Sequence, residues 1–130
     1  MTTTALEVAV LEIHIDHIAP EGGEPYVLCR PEGELDAYTV GQFREALTGL
    51  ADEPRLLIEL SDVPFMDSAG LGALIGGIRR ARENENKVVV SCGRATLTRL
   101  LHTTGFDRIV PVTETVDEAI AAFDTIDDED

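Results

Sequence analysis

Short, densely apolar runs alternate along this chain with stretches whose apolar residues recur at helical spacing. That alternation constrains the fold more than any other feature. Leu56-Leu57-Ile58-Glu59-Leu60 and Lys87-Val88-Val89-Val90-Ser91-Cys92 read as short buried strands. Between them, Leu71, Leu74, Ile75 and Ile78 recur at i, i+3, i+4 and i+7, one face of a helix over 67–84. Strands that alternate with helices are joined by crossovers, and crossovers make strands parallel.

The rest of the chain extends this pattern. Residues 6–18 alternate (Leu6, Val8, Val10, then Leu11, Ile13, Ile15), with a change of phase near Val10-Leu11 that suggests a bulge or bend. Ala19 to Pro25 reads as a turn and Tyr26 to Arg30 as a second strand, so 6–30 is expected to form a β-hairpin. Pro31 to Asp36 leads into a helix carrying Val40, Phe43, Leu47 and Leu50. Leu97, Leu100 and Leu101 mark a further helix, with Gly105 as its C-terminal cap. Arg108-Ile109-Val110 is expected as a short last strand, and Val116, Ala119, Ile120 and Phe123 as the final helix. The expected fold is α/β in the order β-β-α-β-α-β-α-β-α. It has a mixed, mostly parallel β-sheet, an N-terminal β-hairpin and about four helices. A chain of 130 residues fits one domain with one real core, here about 6–124, with an acidic C-terminal tail at 125–130.

Charge narrows the function. The formal net charge is −15, from 10 Lys and Arg against 25 Asp and Glu. That sign argues against direct nucleic-acid binding, which needs Lys and Arg on phosphates, and against docking on anionic lipid. Residues 55–110 hold eight of the ten basic side chains, so this segment is near neutral between two acidic flanks. The apolar runs are too short to span a bilayer, and the start of the chain lacks a signal peptide's basic and apolar segments. With Cys29 and Cys92 each inside an apolar run, buried free thiols in a reducing cytoplasm are expected. No Cys-x-x-Cys or close Cys/His pairing occurs, so neither a metal site nor a cofactor is expected. His14, His17 and His102 read as ordinary structural or surface histidines.

The most informative stretch is Val63-Pro64-Phe65-Met66-Asp67-Ser68-Ala69-Gly70-Leu71-Gly72-Ala73-Leu74-Ile75-Gly76. Asp67 or Ser68 would cap the helix that begins there. Capping does not explain four glycines, Gly70, Gly72, Gly76 and Gly77, since each costs about 1 kcal/mol in a helix relative to alanine. Their backbone must be approached closely, by another element of the fold or by a partner. Ser68 at a helix N-terminus could also carry a phosphate, favoured by N–H groups and the positive dipole end. Such a phosphate would add negative charge beside Asp67, Asp62 and Asp36 and repel a partner seated there.

Met66-Asp67-Ser68-Ala69-Gly70-Leu71-Gly72 resembles the signature of bacterial anti-sigma factor antagonists, the anti-anti-sigma factors of the STAS domain family. Gly33-Glu34-Leu35-Asp36 resembles that family's Gly-x-Leu-Asp segment, and Leu57 to Val63 the strand and loop before the signature. Val88 to Ser91, Leu97 to Leu101 and Thr104-Gly105-Phe106 also fit, so the resemblance spans about 6–124. The segment Glu7 to Pro25 is longer, and the tail more acidic, than the family's pattern. The resemblance implies a regulatory protein and not an enzyme. An anti-sigma factor with serine kinase activity would phosphorylate Ser68, and a PP2C-type phosphatase would restore it. The unmodified protein would bind the anti-sigma factor and release the sigma factor, in the cytoplasm. Asp36, Asp67, Ser68, Ala69, Gly70, Leu71 and Gly72 would form the partner surface, with Asp36, Asp62 and Asp67 facing a basic patch.

Rival chemistries are less well supported. A serine hydrolase would want Gly-x-Ser-x-Gly, and Met66 stands at the first position. Asp36, Asp62 and Asp67 lack a convergent base or metal spacing. A receiver domain would want an acidic pair after its first strand, and Ile13-His14-Ile15-Asp16 has none. The remaining alternative is an unswitched STAS module, a scaffold or accessory subunit of a signalling or transport complex, in which Ser68 is only a cap or contact.

Overall fold

The computed structural model describes residues 11–128. The strands are β1 (Glu12–Ile18), β2 (Tyr26–Glu32), β3 (Arg55–Glu59), β4 (Lys87–Ser91) and β5 (Val112–Thr113). The helices are α1 (Val40–Gly49), α2 (Ser68–Glu83), α3 (Ala95–Thr103) and α4 (Val116–Asp128), with a 3-10 turn at Phe106–Arg108. The sheet order is β1-β2-β3-β4-β5; β1 pairs with β2 antiparallel and every other pair is parallel. This is the mixed, mostly parallel sheet with an N-terminal hairpin that the alternation predicts.

Sequential strand order has a geometric consequence. Right-handed crossovers that all step the same way put all their helices on one face. The buried residues of α1, α2 and α3 accordingly pack with Val27, Cys29, Leu56, Ile58, Val88 and Val90. The opposite face is left to α4, whose Ala119 and Phe123 pack on Tyr26, Leu57 and Val89. Successive strand residues serve opposite cores, as a period of two requires. The Phe123 ring also lies 4.6 Å below the Arg55 guanidinium. Among the described residues, no helix is long and apolar enough to cross a membrane.

Two expectations are adjusted, and a third falls partly outside the described residues. The predicted first strand reaches back to residue 6, but residues 6–10, and with them the Val10 side of the change of phase, lie outside the described residues. Leu11 is buried, and its carbonyl accepts a hydrogen bond from Gln42 Nε2 at 2.9 Å. Strand β2 runs two residues past Arg30. Its ladder with β3 ends at Cys29, so the missing N–H of Pro31 costs no bond to β3. The last strand is not at Arg108–Val110. The 3-10 turn takes up Arg108, Ile109 is 39% exposed, and β5 pairs two residues later, Val112 with Val90 and Thr113 with Ser91. Gly105 accounts for the shift. At φ +79° it ends α3 and its N–H donates to the His102 carbonyl at 3.0 Å, so the chain re-enters as a tight turn.

Cys29 and Cys92 are free and buried, as expected. Burial pushes the Cys29 thiol from 9.0 up to about 12. A folded-state value above the unfolded one means that the contribution of this thiol to stability is full below pH 9 and is lost as pH rises toward 12. Urea melts across that range should show a decline that Cys29→Ala largely removes, and the native thiols should resist a disulfide reagent until urea is added.

Candidate functional site

Helix α2 starts where the β3 crossover returns over the sheet. Asp67, in extended conformation (φ −100°, ψ −172°), is its N-cap. One carboxylate oxygen, Oδ1, accepts from the N–H groups of Ala69 at 2.9 Å and Gly70 at 3.1 Å. Of the two candidate caps, Asp67 therefore fills the position, and Ser68 stands exposed as the first helical residue. Asp67→Ala should cost about 1 kcal/mol in a urea titration, the usual loss for a cap.

The four glycines divide into two stripes. A Cβ on Gly70 would lie 2.5 Å from the Leu35 carbonyl oxygen, and one on Gly77 would lie 2.6 Å from Leu47 Cδ1. These two let α2 settle against the Leu35 segment and against α1. A Cβ on Gly72 or Gly76 would meet nothing within 4 Å. Ser68, Gly72 and Gly76 are four residues apart, so they line one outward stripe of bare helix backbone. Close internal packing thus explains half of the glycines.

A second segment meets α2 at this end. Leu35 bridges Met66 in parallel fashion; its N–H donates to Phe65 O at 2.9 Å and its carbonyl accepts from Asp67 N at 3.1 Å. This brings Asp36 beside Asp67. Asp36 Oδ1 accepts from Tyr38 N at 2.9 Å and Thr39 N at 3.1 Å, and Thr39 Oγ1 donates to Glu34 O at 2.7 Å. The loop is thereby held rigid while Tyr38 projects at 94% exposure and Phe65 at 50%. Asp62 is paired with Arg30 at 2.7 Å, so its charge is already matched.

A polar network supports the loop before α2. Buried Glu59 accepts from Ser61 N at 2.7 Å and from Ser91 Oγ at 3.0 Å, and Ser61 Oγ accepts from Gly93 N at 2.8 Å. It ties the C-terminal ends of β3 and β4 together directly below the site.

Of the residues predicted for this surface, Ser68 and Gly72 are exposed; Asp36, Asp67, Ala69 and Leu71 are half-buried; Gly70 is buried. Ala69 and Leu71 also pack against the larger core. Tyr38, Phe65, Arg30 and Glu59 escaped the sequence reading. An aromatic residue in a loop was the available signal for Tyr38 and Phe65; Arg30 and Glu59 depend on how the strands are brought together. His14 bonds Glu32 and His102 bonds Asp107, so neither ring is engaged with Ser68 as a base. The arrangement presents a hydroxyl at a helix N-terminus on an exposed, partly aromatic face.

Comparison with known proteins places this surface in context. The STAS domain family model matches residues 17–119. The anti-sigma-B factor antagonist of Listeria monocytogenes is 34% identical over 82 residues, 62% of this chain and 72% of that protein. An anti-sigma factor antagonist from Mycobacterium paratuberculosis superposes with a TM-score of 0.72 at 26% identity, over 85% of this chain and 93% of that one. The Bacillus cell fate determinant SpoIIAA, in its phosphorylated form, shares the fold with a TM-score of 0.63 at 21% identity, over 86% of this chain and 99% of that one. The chain is a member of the STAS domain family, in the branch formed by the anti-sigma factor antagonists.

Proposed function

We propose that this protein binds an anti-sigma factor through the exposed face at the N-terminal end of α2, and that phosphorylation of Ser68 abolishes the binding. In the unmodified state the bare stripe of Ser68, Gly72 and Gly76 admits close approach by the partner. Tyr38 and Phe65 supply apolar contact at the rim, and Asp36 and Asp67 meet basic side chains of the partner. Occupying the anti-sigma factor frees the sigma factor. The partner's serine kinase activity modifies Ser68, a PP2C-type phosphatase reverses it, and all three proteins meet in the cytoplasm. This chain is the substrate of that chemistry and not its catalyst.

The observation that carries the reading is the division of labour at the cap. Asp67 alone satisfies the N–H groups of Ala69 and Gly70, leaving the neighbouring Ser68 exposed on the same stripe as the two open glycines. A serine kept only as a helix cap would be expected to make those bonds itself, so in an unswitched scaffold Ser68 would be a contact and not a cap. The Bacillus relative's phosphorylated form supports a modified state for this fold.

The test is direct. The purified chain is incubated with ATP and the kinase-type anti-sigma factor encoded in the same genome, and modified sites are mapped by mass spectrometry. Near-stoichiometric phosphate on Ser68 is expected. Stoichiometric modification elsewhere with Ser68 untouched would sink the proposal.

A further inference from the structure

The sheet margin farthest from α4 carries a cluster that the α2 surface does not use. On β1, Glu12 and His14 are two residues apart and share a face. Across the hairpin, Glu12 sits opposite Glu32 and His14 opposite Arg30. By strand alternation this is the face that carries Tyr26 and Leu28, whose lower part lies under α4. Helix α4 lies over β3, β4 and β5 and reaches the hairpin at Tyr26, Leu28 and Ile18, so among the described residues nothing of α4 covers the Glu12 end: the side chains of Glu12, His14 and Glu32 are 63%, 38% and 53% exposed.

We infer that Glu12, His14 and Glu32 form a binding site for a divalent transition cation of the zinc type. One ligand atom from each lies within 4.8 Å of the others. His14 Nε2 is 2.9 Å from Glu32 Oε1 and 3.9 Å from Glu12 Oε1. Ligands at about 2.1 Å around a tetrahedral ion lie about 3.4 Å apart, between those two distances. Small rotations of two exposed glutamates close the set, leaving a fourth position to water.

Charge points the same way. Two glutamates directly opposite on paired strands repel each other, an arrangement that weakens a hairpin unless a cation stands between them. Arg30 does not fill that place. Its guanidinium lies 2.7 Å from Asp62 and 4.0 Å from Glu32, so it is engaged mainly by Asp62. Asp16, next on the same face of β1, adds further negative field. The mixture of imidazole nitrogen and carboxylate oxygen favours zinc, cobalt or nickel over calcium or magnesium, which prefer oxygen alone. Motif spacing does not reveal this set, because its third member comes from the other strand of the hairpin.

Zinc chloride titrated into the full-length protein by calorimetry should give one site. His14→Ala and Glu32→Gln should each weaken it by about tenfold or more. His17→Ala should leave it unchanged, since His17 points to the other face of β1. In the unaltered protein, zinc should shift the ring resonances of His14 before those of His17 and His102, which covers the case of a variant that fails to fold. Wild-type affinity in both His14→Ala and Glu32→Gln would overturn the inference. So would first shifts at His17 or His102, or loss of zinc binding when residues 127–130 are removed.

Discussion

Replacing Ser68 with aspartate is expected to weaken binding to the anti-sigma factor about 100-fold, whereas Ser68→Ala should stay within about threefold of wild type. The physical reason is local. Ser68 lies on a stripe of bare backbone, so a partner that follows this stripe excludes water from it. An unpaired carboxylate trapped there costs several kcal/mol, and about 3 kcal/mol is a factor of about 100. Asp67 and Asp36 at the same end raise that cost further by repulsion. Alanine removes only a hydroxyl that the helix does not need as its cap, and most truncations of small interface side chains cost less than about 1 kcal/mol. Titration calorimetry with the unmodified anti-sigma factor reads both values. Equal affinity for the two variants would point to the scaffold alternative.

The second large effect concerns stability. Gly70→Ala is expected to destabilise the protein by about 2–3 kcal/mol, while Gly72→Ala and Gly76→Ala stabilise it by about 0.5–1 kcal/mol each. At Gly70 the obstacle is the Leu35 carbonyl oxygen at 2.5 Å, with Leu35 Cβ at 2.8 Å. That carbonyl is held by the Asp67 N–H, so it cannot retreat without breaking the contact that joins the two loops. Gly77→Ala meets the flexible Cδ1 of Leu47 first and then its Cβ at 3.0 Å, so its cost should be smaller than that of Gly70→Ala. At the two open positions alanine gains helix propensity and touches nothing. Urea melts of the four variants order these effects. A Gly72→Ala protein as unstable as Gly70→Ala would contradict the division into stripes. A Gly72→Ala protein that is more stable yet binds the anti-sigma factor less tightly would tie the open stripe to the interface.

The element order was legible because it rests on local periodicity. The runs at Leu56–Leu60 and Val88–Val90 and the helical stripe from Leu71 to Ile78 each carry their signal within a dozen residues. The heptapeptide around Ser68 was legible for the same reason. The last strand was misplaced because Arg108-Ile109-Val110 is apolar enough to be a strand, while its conformation is dictated upstream by Gly105 and its pairing by the register of β4. As a sequence position Asp62 was one more acid near Ser68, but the end of β2 brings Arg30 to it and neutralises it locally.

The α/β alternation, a cap at either Asp67 or Ser68, the burial of both cysteines and the signature heptapeptide are each written in residues near one another along the chain. Which two glycines are packed and which two are open depends instead on where Leu35 and Leu47 arrive from other elements. Three-dimensional packing likewise sets Tyr38 outward, because the Asp36 turn fixes the loop, and makes Glu12, His14 and Glu32 converge. Strand pairing and helix docking join residues far apart in sequence, and their register is set by the whole core.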